Sequence, residues 1–163
     1  MSTNEVARVM DAVRRVVRAL RVSTRAVERE IGISGAQLFV LQQLGESPAE
    51  SLNELAERTS THQSSVSVVV SRLEEKGLVV REPAPEDARR VRIALAEEGR
   101  ALLERAPPTS QSQLVAGLRR LPPERLAVLA GAMEEWMREA RLDTDPATFF
   151  FEEDERKGKQ DDG

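Results

Sequence analysis

Residues 62 to 95, HQSSVSVVVSRLEEKGLVVREPAPEDARRVRIAL, constrain the fold more than any other part of the chain. The serines and valines at its start have the β-branched content of a strand, yet they run unbroken into RLEEKGLV, which has the form of a helix end. Counted in helical steps, Val66, Val69, Val70 and Leu73 share one face, and Ser64, Ser67, Val68 and Ser71 share the opposite one. Counted in steps of two, Val66, Val68 and Val70 fall together, but Val69 and Leu73 are split from them. The helix leaves fewer hydrophobes in water. The spacing therefore predicts a helix over about 62–76, with Lys76 in its last turn and Gly77 at a left-handed stop. Beyond Gly77 the period becomes two. LVVRE predicts a strand, PAPEDA a turn, and RRVRIAL a returning strand with Val91, Ile93 and Leu95 on one face and Arg90, Arg92 and Ala94 on the other. Arg89 and Arg90 then lie near the tip of a small hairpin.

Helices flank this unit. Val6, Val9, Met10, Val13, Val16, Val17, Leu20, Val27 and Ile31 recur at helical spacing and predict a long first helix, stopped by Gly32. Ser34 with Gln37 has the form of a capping box and opens a second helix over about 35–45, ending at Gly45. Ser51 with Glu54 opens a short third helix over about 52–58. After the hairpin, helix resumes at Glu97 and runs toward Arg105. The APP at 106–108 must break it, because proline lacks the backbone donor and clashes with the preceding turn. A further helix over about 109–119 follows, and LPP at 121–123 opens a last long amphipathic one. The fold class is thus mostly α, and helix, helix, short helix, tight connection, helix, hairpin is the order of a winged helix-turn-helix with a two-stranded β wing. That arrangement lays one helix in the DNA major groove.

Composition removes several classes of function. At 163 residues one compact domain with an attached arm is expected. With no cysteine there is no disulfide framework or thiol redox switch, which points to the cytoplasm. No apolar run reaches the roughly 18 residues that span a bilayer, and the N-terminus lacks a signal-peptide core, so no membrane role is expected. The lone His62 has no second histidine or cysteine for a metal site. No nucleophile motif or Gly-rich phosphate loop is present, so neither enzyme activity nor a cofactor is expected. The net charge of −4 argues at first against nucleic acid, but the charge is segregated. Residues 1–31 hold seven arginines against four acids, and residues 58–92 hold seven bases against five acids. Residues 143–163 hold eight acids against three bases, so the acidity is concentrated in the tail.

The stretch LNELAERTSTHQSSVSVVVSRLEEKGLVVREPAPEDARRVRIALAEEG, residues 52–99, resembles the DNA-binding core of the MarR family of bacterial transcription regulators. Its landmarks are LAER, the VS at 66–67, RLEEKGLV at 72–79, and a wing with Asp87, Arg89 and Arg90 ahead of VRIAL; with the flanking helices the likeness covers nearly all of residues 5–142. The resemblance implies a homodimer whose first and last helices intertwine. It also implies binding to a pseudo-palindromic operator on double-stranded DNA, as a repressor relieved by a small aromatic or phenolic effector. The expected organisation is a dimerisation region at 1–33 and 97–142, a DNA-binding region at 34–96, and a C-terminal arm with an acidic disordered tail at 143–163.

On that reading, Gln63 pairs with adenine or a phosphate, and Ser64, Ser67 and Ser71 donate to base edges or phosphates. Val68 departs from the polar or cationic residue common on that face in the family, and is read as a contact to a thymine methyl. Arg89 matches the wing arginine that enters the minor groove, Asp87 holds that arginine or braces the hairpin, and Arg72 and Arg90 contact phosphates. His62 caps the recognition helix or contacts phosphate, with Thr61 or Ser60 as alternative caps.

Plainer readings stand beside these. Serines on an exposed helix are solvated in most proteins, Arg89 can be an ordinary surface arginine, and Arg14, Arg15, Arg18, Arg21 and Arg25 are most simply a solvated face. Met133 and Trp136 read as dimer packing rather than a ligand box. Phe149, Phe150 and Phe151 read as an arm folding back on the dimer, with a docking segment for another protein as the alternative. Pro107–Pro108 interrupts a helix usually continuous in the family, which alters any pocket borrowed from relatives. The competing function is a winged-helix interaction module that has lost specific DNA binding.

Overall fold

A computed structural model of the protein describes residues 3–144 and 149–150. Among them the elements run α1 (Thr3–Ile31), α2 (Gly35–Glu46), α3 (Leu52–Thr59), α4 (Gln63–Glu75), β1 (Val79–Pro83), β2 (Val91–Leu95), α5 (Glu97–Glu104), α6 (Ser110–Arg119) and α7 (Pro123–Glu139). This is the winged helix-turn-helix expected from the element order. β1 and β2 pair antiparallel, with Val79 opposite Leu95 and Pro83 opposite Val91.

The core is built around α2. Leu38, Phe39, Val40 and Leu41 are fully buried on successive positions of that helix, so it is covered on all sides. Leu55 of α3, the Val66, Val69, Val70 and Leu73 face of α4, and Ile93 and Leu95 of β2 pack into the same cluster. Each such side chain contributes on the order of 1.5–3 kcal/mol on leaving water. The outer helices contribute little: α1 buries only Leu20 and Val27, and neither α6 nor α7 has a buried residue.

Local chemistry fixes the ends. Ser34 Oγ accepts from the Gln37 amide at 3.1 Å and Gln37 Oε1 accepts from the Ser34 amide at 3.3 Å, a complete capping box. Ser51 caps α3 through the Glu54 amide. Here the reciprocal bond shifts by one residue, since the Glu54 carboxylate takes the Glu50 amide at 2.7 Å. α4 ends in a Schellman motif: the Gly77 amide bonds to the Glu74 carbonyl and the Leu78 amide to the Leu73 carbonyl, with Gly77 at φ +70°. That conformation strains any residue with a Cβ, which is why the change of period falls there. Pro107 and Pro108 do break the chain between α5 and α6, and Pro123 occupies the first turn of α7.

Three details depart from the sequence reading. Gly45 lies inside α2 and does not end it; a Cβ there would stand 2.8 Å from Leu103 of α5, so the glycine permits a close helix approach. Val91 is 53% exposed while Ala94 is buried. The two faces of β2 are not cleanly divided because α2 and α5 cover only its base, and the strand leaves the core toward the wing tip. Ala49, which carries no strand signal, exchanges two 2.8 Å backbone bonds with Ile93 and adds a third edge to the base of the hairpin. Phe149 is buried in the core cluster of its own chain. Phe151 and nearly all of the acidic tail expected at 143–163 lie outside the described residues.

Candidate nucleic-acid interface

Burial of one α4 face against α2 and α3 turns the other face out. Gln63, Ser64 and Ser71 are exposed, and Ser67, Val68 and Arg72 are half-buried along the same strip. His62 occupies the N-cap position with an extended backbone, and its carbonyl accepts from the Ser65 and Val66 amides. Its imidazole makes no capping bond. Neither alternative cap serves: Ser60 is the C-cap of α3, in a left-handed conformation at φ 54°. The first amides of α4 thus face outward without a side-chain cap, at the positive end of the helix dipole.

The wing is braced by its own polar groups. Asp87 Oδ1 accepts from the Arg89 amide at 3.0 Å, and the Arg90 amide donates to the Asp87 carbonyl at 2.9 Å. Of the two roles open to Asp87, the structure thus favours the brace, made through the backbone of Arg89. Arg92 is paired with Glu82 across the hairpin, Nη2 to Oε1 at 2.5 Å, and Arg81 of β1 with Glu74 of α4, Nε to Oε1 at 2.9 Å. The second pair ties the wing to the C-terminal end of α4. Arg58 is bound by Glu54 and by the Ser47 and Pro48 carbonyls, which knits the α2–α3 connection to α3. These pairings consume three arginines of the 58–92 segment. Arg89 and Arg90 stand exposed at the wing tip and form no salt bridge among the described residues.

The arrangement is an outward polar helix face with open amides at one end and a loop carrying two unpaired guanidinium groups beside it. Residues 31–90, spanning α2 to the wing, match the family model described as the MarR family. The whole fold matches a MarR family transcriptional regulator from Streptomyces coelicolor, solved in complex with DNA, at 26% identity and TM-score 0.60, covering 91% of this chain and 98% of that one.

Over α2 to the wing the chain is similar to the MarR family.

Two further relatives are repressors. The transcriptional repressor MdtR of Bacillus subtilis is 37% identical over 68 residues, 42% of this chain but only 44% of the relative's length. The homoprotocatechuate degradative operon repressor of Escherichia coli is 28% identical over 117 residues, 69% of this chain and 76% of the relative. No helix among the described residues is long and apolar enough to cross a membrane.

Among the described residues the sequence reading located the α4 strip and the wing tip, and missed what holds them. The Arg81–Glu74 and Arg92–Glu82 pairs link elements whose proximity depends on the fold. Lys76 Nζ donates to Gln37 Oε1 at 3.0 Å, joining the end of α4 to the start of α2, and a separation of 39 residues left no local signal of it.

Proposed function

We propose that this protein is a MarR-type regulator: cytoplasmic, homodimeric, sequence-specific in DNA binding, and a repressor released by a small aromatic or phenolic ligand. α4 enters the major groove and the wing places Arg89 in the minor groove. The observation that carries the reading is the selective pairing of charge. Arg58, Arg81 and Arg92 are spent on internal acids, whereas Arg89 and Arg90 at the tip are free of them and available to phosphate or a narrow groove. Gln63, Ser64, Ser67, Val68 and Ser71 supply amide, hydroxyl and methyl contacts to base edges, and Arg72, Arg90, His62 and the outward amides of α4 take backbone phosphates. Asp87 holds the loop that presents Arg89.

The dimer reading is supported by apolar surface left uncovered on the outer helices. Val6, Val9 and Val22 of α1 and Val128, Leu129 and Met133 of α7 are all more than a third exposed. In water such surface is stable when a second copy covers it. The regions at 1–33 and 97–142 supply that interface. For the ligand, a groove of about 460 Å³ between α2 and α6, lined by Phe39, Gln42, Gln43, Thr109, Val115 and Arg119, offers an apolar floor and polar rim. The relative named for the homoprotocatechuate degradative operon supports a phenolic acid as the ligand class.

Hydroxyl-radical footprinting on the DNA flanking the protein's own gene tests the proposal. Two protected half-sites about one helical turn apart are expected. Uniform protection without half-sites would instead assign the fold to an interaction module.

A further inference from the structure

Besides Val115, which packs against the core, hydrogen bonds join α6 to the DNA-binding unit at its two ends, and they are of unequal strength. At its N-terminal end Thr109, 1% exposed, and Ser112 share a 2.6 Å bond, and both hydroxyls reach Gln42 Oε1 of α2, Ser112 at 2.7 Å and Thr109 at 3.4 Å. This is a part-buried, mutually bonded anchor with Thr109 at its centre. At its C-terminal end Arg119 Nη2 donates to the Arg58 carbonyl at 2.7 Å, in an exposed position. Between the two runs the open groove described above. Pro107 and Pro108 interrupt the helical hydrogen bonding between α5 and α6, so α5 does not fix the direction of α6.

We propose that Arg119 is a positioning residue: α6 pivots at the Gln42 anchor, and the Arg119–Arg58 bond is the latch that sets its angle to the helix-turn-helix. Arg58 suits the task. Its carbonyl lies in the last turn of α3, where the helix dipole favours a cation, and its guanidinium is bound to the Ser47 and Pro48 carbonyls and to Glu54. A pull on Arg58 therefore moves α2, α3 and their connection together, and α4 with them through the shared core. An exposed charge-assisted bond is modest, so the latch opens with little force while the triply bonded, part-buried anchor holds. A molecule entering the groove would open the exposed end first. The consequence for DNA, a changed placement of the recognition helices, rests on the function proposed above. The latch itself does not.

The test reads the angle without DNA. The chain has no cysteine, so Asn53→Cys on α3 and Leu118→Cys near the C-terminal end of α6 carry the only two spin labels, both at exposed positions. Labelled chain is diluted into excess unlabelled protein, and pulsed dipolar spectroscopy gives the distance within one chain whether or not the protein dimerises. One narrow distribution is expected for the parent. Arg119→Ala should raise the population at displaced distances roughly fivefold, Arg119→Lys should restore the narrow distribution, and circular dichroism should confirm that both variants are folded. An Arg119→Ala distribution that superimposes on the parent overturns the proposal. Equal broadening in Arg120→Ala also overturns it, since loss of positive charge alone would then be the cause.

Discussion

Arg89 and Arg92 stand three positions apart in the wing and are put to different uses. Arg92 is neutralised by Glu82, while Arg89 contributes its backbone amide to the Asp87 turn and leaves its guanidinium exposed. If Arg89 reads a groove, Arg89→Ala weakens operator binding by about 1–3 kcal/mol and relaxes preference at the bases it faces. Titrations against operator and random DNA check this, and an equal loss on both would reduce Arg89 to a phosphate contact. Glu54 is the residue whose titration bears on stability. The Glu50 amide bonded to its carboxylate outweighs the opposing effect of burial and, with the hydrogen bond and charge of Arg58 added, holds its pKa below the ordinary carboxylate value. The unfolded chain therefore binds this proton more readily than the folded one. The carboxylate's contribution is complete above the ordinary value and is lost as pH falls through the lowered one. Glu54→Gln should flatten that part of the acid stability profile, and a profile identical to the parent's would contradict the assignment.

At the scale of elements, α5 approaches the base of the hairpin most tightly at Gly99. A Cβ on Gly99 would lie 2.1 Å from the Leu78 carbonyl oxygen, which also accepts the Ala96 amide at 3.0 Å. Backbone cannot yield as a side-chain tip can, so Gly99→Ala should cost about 1–3 kcal/mol in chemical denaturation. A change below a few tenths of that would mean the α5–hairpin junction is looser than described. Elements of this kind show what the sequence discloses. α4 was legible because five alternating residues in HQSSVSVVVSRL do not decide a period but twelve do, and because Gly77 stands where a left-handed residue is needed. Gly45 misled because a glycine that ends a helix and a glycine that lets another helix approach are written the same way. The Ala49–Ile93 pairing, the Lys76–Gln37 bond and the Arg119–Arg58 bond join residues distant in the chain, and no local pattern encodes such meetings. The candidate site follows the same division. Its outward face and tip were legible from periodicity and from the resemblance, whereas the pairing that leaves Arg89 and Arg90 available could be read only once the acids around the other arginines were placed.

At the scale of the molecule, a chain of net charge −4 is proposed to bind a polyanion. The proposal is consistent because charge acts locally: with screening over roughly 10 Å at ordinary salt, the seven bases against five acids of residues 58–92 count for more at the reading surface than the net charge of the chain. The same proposal demands specificity, since a surface with few free cations gains little from phosphates alone and must gain the rest from base contacts along α4. Fluorescence anisotropy of the protein against the DNA flanking its own gene, beside a shuffled fragment and at two salt concentrations, addresses this directly. Saturable binding to the native fragment that persists at the higher salt, with the shuffled one bound far more weakly, is the predicted result. Equal, weak binding to both fragments that vanishes at the higher salt would contradict the account.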